Sequence, residues 1–250
     1  MPLWFIAIGP RMPAVDTPAL AIIATAVALA AFVQGTLGLG FALIVAPVVA
    51  FLAPALLPAC LLLLMLPLNV YVAWRERAAL DRSGAAWITL GRFVGTFGGL
   101  WILMAAPPQR LATVVGAATI VVALATIILP PFRPGRRSFV AAGLVTGVTE
   151  TATGIGGPPL ALVYQHHAAA VLRSTLAACF LVGQLISLTV LAVAGRASAG
   201  QLAAALLLVP ALALGAIISR YAHHRVDARL FRVFVLGFAI VSGLVLVLRR

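Results

Sequence analysis

The chain has 250 residues, of which 64% are hydrophobic and 9% are charged, and its mean hydropathy is +1.18. So few polar residues cannot cover a water-soluble globule, and the composition therefore predicts an integral membrane protein. The formal net charge of +12 comes from seventeen basic residues, all arginines, against five acidic ones. These arginines fall between apolar runs, where orientation in the membrane and lipid headgroups explain them, and nucleic-acid binding is excluded.

The first half of the chain consists of one long apolar run followed by three predicted membrane spans. The run begins at Thr17 and Pro18, which are typical of a helix start, and continues to Leu52. A straight helix of that length would exceed the roughly 30 Å hydrocarbon core, so the run must break or fold back. Residues 35–40, which are rich in glycine, are where it can do so. The three spans that follow are predicted at residues 59–74, 85–105 and 111–129.

The second half repeats this plan after a linker at residues 130–137 that is rich in proline and arginine. An apolar stretch at 139–165 is followed by spans predicted at 174–194 and 202–219, and by a last span that ends before Arg249. We therefore predict one transmembrane domain over residues 1–250. Its two internal repeats are predicted at about 18–129 and about 138–248.

Each apolar stretch contains a glycine-rich interruption. In the second half it reads Gly154-Ile155-Gly156-Gly157-Pro158-Pro159 and follows Glu150. In the first half, residues 34–41 align with residues 150–157 without a gap. Glycine leaves the backbone mobile and proline removes an N–H donor, so a helix breaks at such a sequence. A break inside a membrane is tolerated where it faces protein or a water-filled cavity, and paired breaks predict the binding site of a secondary transporter. The alternative, close packing of helices on glycine, does not require the prolines.

The positions of the arginines predict how the two halves are oriented. Cytoplasmic loops hold the excess of basic residues, and three loops are rich in arginine: residues 75–82, 133–137 and 220–229. If all three are cytoplasmic, each interrupted stretch is a hairpin that begins and ends on one side of the membrane. The predicted fold is an all-α polytopic membrane protein of two inverted repeats, each a broken, re-entrant hairpin followed by three transmembrane helices, with about 8 to 10 membrane segments. The competing topology has one long crossing in place of each hairpin and parallel repeats.

The glycine-rich break in both halves, the short chain and the four-plus-four layout resemble the TauE/SafE family of sulfite and organosulfonate permeases, over roughly residues 18–248. The second motif matches the family pattern through Gly154, Gly156, Gly157 and the following proline. In the first motif, Phe41 stands where a second glycine of a pair would be expected. The resemblance implies transport of small sulfur oxyanions or sulfonates across the bacterial inner membrane, by an exporter or an importer.

An oxyanion that leaves water needs directed N–H donors and a positive potential in place of its hydration. Helix N-termini at the two breaks supply both, through unpaired backbone amides and the helix dipole. Glycine allows the backbone to approach the ligand closely. The residues predicted to bind substrate at the breaks are Gly38, Leu39, Gly40, Gly154, Ile155, Gly156, Gly157 and Pro158.

One basic side chain lies inside a predicted span. Arg92 falls within the span at 85–105, where a guanidinium is costly unless it is paired or faces a cavity. It is predicted to bind the oxyanion through two parallel hydrogen bonds, and the alternative is that it extends to the cytoplasmic headgroups. The same span carries Gly91, Gly95 and Gly99, whose four-residue spacing predicts a smooth face against a neighbouring helix.

Four further polar side chains lie within apolar runs. Glu150 is the acidic member and is predicted to couple proton movement to transport; the alternative is a structural hydrogen bond from the protonated acid to a neighbouring threonine. Gln34 occupies the equivalent place in the first half and is predicted to bind the broken backbone. Asn69 and Gln184 are predicted to line the cavity or to bond across helices.

Three classes of function are compared. A secondary anion transporter working by alternating access is favoured, and a passive anion channel remains the alternative. An intramembrane enzyme is disfavoured, because the sequence has no H-E-x-x-H, no G-x-S-x-G and no acidic pair at catalytic spacing. Cys60 and Cys179 lie in apolar runs without a metal-binding spacing, so neither a metal nor another cofactor is predicted. The predicted partners are a small anionic substrate and the lipid bilayer, and a homodimer is left open.

Overall fold

The computed structural model describes residues 16–105, 110–128, 134–164, 167–222 and 228–248. In this part of the chain there are ten α-helices, two short 3₁₀ turns and no strand. The helices are α1 (Thr17–Leu37), α2 (Phe41–Leu52), α3 (Ala59–Arg75), α4 (Arg82–Ala105), α5 (Leu111–Ile128), α6 (Arg136–Thr153), α7 (Gly157–Tyr164), α8 (Ala169–Val193), α9 (Ala199–Ala222) and α10 (Ala228–Leu248). The 3₁₀ turns are Pro54–Leu56 and Arg77–Ala79.

The helices have the lengths and surfaces of a membrane protein. By length and composition, α1, α4, α8 and α9 can each cross a membrane, and α2, α3 and parts of α5 and α10 are shorter apolar helices. Large apolar side chains lie on the outside, including Trp101 at 72% exposure and Phe234 at 66%. A water-soluble monomer would not present so much apolar surface, whereas lipid covers it at no cost. These features agree with the predicted all-α polytopic fold.

The order of elements is the same in the two halves. A helix, a short break and a second helix form α1–α2 and again α6–α7, and three helices follow each time. The packing corresponds as well: α4 lies along α6 as α9 lies along α1, while α3 packs on α8 and α5 packs on α10. If the two halves are exchanged, the pair α4–α6 becomes the pair α9–α1. The pairs α3–α8 and α5–α10 are each unchanged, because each contains one helix from either half.

The first hairpin begins and ends at one end of the molecule. Helices α1 and α9 are parallel, because Ala28 contacts Gly215 and, further along both helices, Gly35 contacts Ser219. Near the start of α9, the side chain of Gln201 donates hydrogen bonds to carbonyl groups of the chain that follows α2, at 2.9 and 3.3 Å. The start of α1, the end of α2 and the start of α3 therefore lie together.

The second hairpin begins and ends at the opposite end of the molecule, where α3 finishes and α4 begins. Helices α4 and α6 are parallel, and their starts lie side by side. At the end of α7, the Tyr164 hydroxyl donates to Oδ2 of Asp81, just before α4, at 2.8 Å. The two hairpins thus open at opposite ends of α3.

Glycines allow α4 and α6 to touch backbone to backbone. A Cβ atom at Gly91 would lie 2.1 Å from the carbonyl oxygen of Val140, and one at Gly95 would lie 2.2 Å from that of Leu144. From the other helix, a Cβ at Gly143 would lie 2.1 Å from the carbonyl oxygen of Ile88. The smooth glycine face predicted on α4 is therefore confirmed, and its neighbour is α6.

Some predicted boundaries were wrong by a few residues. Helix α1 continues to Leu37, so its break is confined to residues 38–40, and Asp16 rather than Thr17 occupies the N-cap position. Helix α6 begins at Arg136 after an N-cap at Gly135, so the predicted linker at 130–137 ends earlier than expected. Extended backbone at Gly135 suits the cap position, and the two arginines that follow can then lie in the first turn. Residues 130–133 lie outside the described part of the chain.

Candidate functional site

The predicted helix breaks are confirmed, and the two have the same backbone geometry. Gly38 follows α1 with φ of 81°, and Gly154 follows α6 with φ of 83°. Each glycine donates its N–H to the carbonyl four residues earlier, at 2.8 Å to Gln34 and 2.7 Å to Glu150. Both φ values lie in the left-handed region, which glycine adopts without the clash that a Cβ would cause.

The helices that follow the breaks, α2 and α7, start next to each other. A Cβ atom at Gly157 would lie 4.0 Å from Cβ of Leu39, so the two breaks are in contact. Between them is a narrow cavity with space for about one water molecule. It is lined by Gln34, Leu39, Gly40, Ala42, Leu43, Met65, Ile155, Gly157 and Phe180.

The N-terminus of α2 borders this cavity. Gly40 is the N-cap with φ of 115°, and Ala42 and Leu43 belong to the first turn, whose amides have no partner within a helix. The amide of Phe41 donates to Oε1 of Gln34 at 3.1 Å. Gln34 therefore binds the broken backbone, as predicted from its position.

The N-terminus of α7 offers fewer donors than the sequence analysis assumed. Pro158 and Pro159 have no N–H, so in the first turn only Gly157 and Leu160 carry one. The amide of Ile155, predicted to face substrate, donates instead to the Thr153 hydroxyl at 3.3 Å. The second break therefore has fewer backbone N–H groups free to bind a ligand than its glycines suggested.

The five predicted polar side chains form one buried chain of hydrogen bonds. Arg92 donates through Nη2 to Oε2 of Glu150. Nε2 of Gln184 donates to Oε1 of Glu150 at 3.1 Å, and Nδ2 of Asn69 donates to Oε1 of Gln184 at 3.1 Å. Nε2 of Gln34 completes the chain by donating to Oδ1 of Asn69 at 3.4 Å. These hydrogen bonds join α1, α3, α4, α6 and α8, and they connect the two breaks.

Burial decides between the alternatives for the charged pair. Arg92 and Glu150 are both 0% exposed, so the alternative in which Arg92 extends to the headgroups is wrong. The proposed threonine partners of Glu150 are also engaged elsewhere: Thr151 bonds to Ser187 at 2.8 Å, and Thr153 donates to the carbonyl of Thr149 at 2.7 Å. Glu150 is therefore held by Arg92 and Gln184 and not by a threonine.

The Arg92 guanidinium is only partly satisfied. Among the described residues, its Nε and Nη1 atoms have no hydrogen-bond partner. Its place is made by Gly183, since a Cβ there would lie 2.0 Å from both Cζ and Nε of Arg92. The Phe180 ring, which lines the cavity, has its centroid 5.5 Å from Cζ of Arg92. Phe180 therefore lies beside both the cavity and the guanidinium.

Several predicted residues do not line the cavity. Asn69 and Gln184 lie behind it and bond across α3 and α8, which was one of the two predicted roles. Gly38 packs on the Arg173 side chain and Gly154 packs on Leu61, so both glycines serve the turn geometry. The side chain of Pro158 lies outside the described atoms.

Gly183 and Phe180 were missed by the sequence analysis. An isolated glycine in a helix indicates close packing, but which neighbour approaches it depends on the pairing of α4 with α8. No sequence signal distinguishes Phe180 from the other apolar residues of α8, because its role depends on the position of the cavity.

Replacing Gly156 with valine is expected to eliminate anion binding in a protein that still folds. A Cβ at Gly156 would lie 3.0 Å from Cβ and 3.1 Å from Cδ of Glu150, so the branched side chain displaces the carboxylate from its partners. The check is isothermal titration of purified protein with sulfite. Gly237→Val is the matched control, because nothing lies within 4 Å of a Cβ there. Wild-type affinity in Gly156→Val would argue against the site.

Comparison with known proteins identifies a family. The family model described as "Sulfite exporter TauE/SafE" matches residues 22–246, which is nearly the whole chain. The search of curated proteins and the search of solved structures gave no match.

Proposed function

Because this chain belongs to the sulfite exporter TauE/SafE family, we propose that it is a secondary transporter of sulfite or organosulfonates that works by alternating access in the bacterial inner membrane. The family consists of membrane transporters of sulfur anions, and the chain is a multi-pass membrane protein. One observation carries the proposal for this chain: a fully buried guanidinium with unpartnered N–H donors lies beside the contact between two helix breaks.

The chemistry of a sulfur oxyanion fits these groups. Sulfite and sulfonates present three oxygens around one sulfur, and two of them can accept parallel hydrogen bonds from a guanidinium. The remaining oxygen can accept from first-turn amides of α2, whose dipole favours negative charge. Glu150 serves in this proposal as the group that couples proton movement to transport.

The cavity must change shape during transport. It holds about one water molecule, whereas sulfite has four non-hydrogen atoms. At the end where the second hairpin opens, Arg173 donates from Nε to both carboxylate oxygens of Glu76, at 3.0 and 3.1 Å, and Tyr164 binds Asp81. These contacts link α3 to α8 and α7 to α4. In the proposed cycle they close one access route while the opposite route opens, which an open channel would not require.

We further propose that the two halves are inverted repeats, with repeat 1 at about 18–129 and repeat 2 at about 138–248. The opposite openings of the two hairpins and the exchange of corresponding helix pairs support inversion. The arginine-rich loop at residues 75–82 then lies in the cytoplasm, together with the opening of the second hairpin.

Inversion predicts which loops face the same side of the membrane. In a background with Cys60 and Cys179 replaced by alanine, single cysteines at the exposed positions Ala55 and Arg196 are both expected to react from outside with an impermeant maleimide. A cysteine at exposed Ala78 is expected to react only after the cells are opened. In the parallel topology, positions 55 and 196 would lie on opposite sides, so their labelling from different sides would contradict inversion.

Flux into proteoliposomes tests the transport activity itself. Wild-type protein is expected to take up labelled sulfite or methanesulfonate with saturation and to respond to an imposed pH gradient. Empty liposomes and liposomes that contain Gly156→Val are the controls. Flux that neither saturates nor responds to pH would replace the transporter with a passive anion channel.

A further inference from the structure

The ion pair with Glu150 engages only one of the three nitrogens of the Arg92 guanidinium. A guanidinium offers two edges for paired hydrogen bonds, one formed by Nε and Nη2 and the other by Nη1 and Nη2, since Cδ occupies the third side. Glu150 is bound to Nη2, and the unpartnered atoms are Nε and Nη1. Both edges include Nη2, which carries two N–H groups, one on each edge. Because Glu150 accepts from this same nitrogen, an oxyanion on either edge lies next to the carboxylate, and two negative charges then share one buried cation.

We propose that substrate is a monovalent oxyanion that binds the Arg92 guanidinium beside Glu150 and is carried together with one proton bound by Glu150. This inference rests on the proposed transport function. Before binding, Arg92 and Glu150 cancel each other's charge. After binding, the anion cancels the charge of Arg92, and the protonated Glu150 is neutral. The buried site thus has zero net charge in both states, which avoids the cost of moving charge through hydrocarbon.

The groups around Glu150 allow it to take up a proton when the anion binds. Gln184 can still donate to the carbonyl oxygen of a protonated Glu150, so the chain of amide side chains remains intact. Among the described residues, the charged or titratable groups that face the pair are the two members themselves and the Cys179 thiol of α8, which interacts with Arg92. The break before α7 approaches Glu150 through Gly156, and the Tyr164 hydroxyl at the far end of α7 is bound to Asp81. No second carboxylate in the described chain contacts the pair.

The charge balance also selects the substrate. A sulfonate or hydrogensulfite is a monoanion and leaves the site neutral when one proton accompanies it. Sulfate and the fully deprotonated sulfite ion are dianions and would leave one uncompensated negative charge in the buried site. We therefore expect monovalent organosulfonates to bind more tightly than sulfate.

Binding coupled to proton uptake tests the inference on the purified full chain. Methanesulfonate is the probe, because it stays a monoanion from acidic to neutral pH and any pH dependence then belongs to the protein. Titration calorimetry in two buffers of different ionisation enthalpy gives the number of protons taken up per bound anion. The wild type is expected to take up one proton, and its affinity is expected to fall as the pH rises, by about tenfold per pH unit wherever a full proton is taken up. Glu150→Gln is expected to bind methanesulfonate without proton uptake and independently of pH.

Controls separate the possible failures. Asp16→Asn removes another carboxylate, which is exposed before α1 and makes no side-chain capping hydrogen bond, and is expected to keep the wild-type proton uptake. Methanesulfonate binding to the wild type without proton uptake, or uptake that persists in Glu150→Gln, overturns the inference and leaves the transport proposal standing. If Glu150→Gln does not fold, the wild-type proton count still decides. If neither sulfite nor methanesulfonate binds the wild type at any pH, the proposed function itself fails.

Discussion

Replacing Arg92 with lysine is expected to weaken the binding of sulfite and methanesulfonate by about 10- to 100-fold in a protein that remains folded. Lysine keeps the positive charge and can still pair with Glu150, but its ammonium group cannot present two parallel donors to one oxyanion. The loss of one charge-assisted hydrogen bond, worth about 1.5–3 kcal/mol, corresponds to that change in affinity. Isothermal titration with each anion measures the effect.

The matched control is Arg75→Lys at the end of α3, where the guanidinium is partly exposed and donates to Glu76 at 2.7 Å. This variant is expected to bind both anions as the wild type does. If Arg92→Lys is folded and binds with unchanged affinity, the guanidinium is only a structural partner of Glu150 and does not bind the anion.

The second large effect is expected at the contact between α4 and α6. Gly95→Ala should lower the free energy of unfolding by about 3 kcal/mol, because a Cβ at Gly95 would lie 2.2 Å from the carbonyl oxygen and 3.1 Å from Cα of Leu144. Both atoms belong to the backbone of α6, so relief requires the helices to separate. Thermal unfolding in detergent, together with the amount of monodisperse protein recovered, measures the loss.

Gly98→Ala is a control in the same helix. The nearest atom to a Cβ at Gly98 is Cγ2 of Val148 at 3.2 Å, a side-chain atom that can move. Both variants gain about 1 kcal/mol from the higher helix propensity of alanine. The difference between their free energies of unfolding therefore measures the clash of the Gly95→Ala side chain with the backbone of α6. Equal unfolding temperatures for the two variants would show that α4 and α6 are not packed as described.

The sequence predicted the broken helices well because their cause is local. Glycine at φ near 80° and proline without an N–H act through one or two residues, so residues 38 and 154 could be identified without tertiary information. The glycine face of α4 was predicted for the same reason, from a spacing within a single helix. What lies against that face could not be derived, because it depends on how helices pair.

The site shows the same division. Polar side chains in apolar runs are conspicuous, and the five predicted by this criterion lie in one hydrogen-bonded chain. Their partners were not predicted: Arg92 and Glu150 are 58 positions apart, and their pairing requires α4 and α6 to lie side by side. The amide of Ile155 was assigned to substrate because a helix start was expected nearby. A threonine hydroxyl two residues earlier competes for it.

The amide of Gln34 stands where the second half has the carboxylate of Glu150, and an amide cannot release a proton. The corresponding places at the two breaks therefore do not share an ionisable group. If Glu150 carries the proton, as proposed, each polypeptide can carry at most one proton per turnover by this route. The buried charge pair is shared between the halves, because Arg92 belongs to the first and Glu150 to the second. A transmembrane voltage therefore acts on opposite charges in the two halves, even where their backbones match.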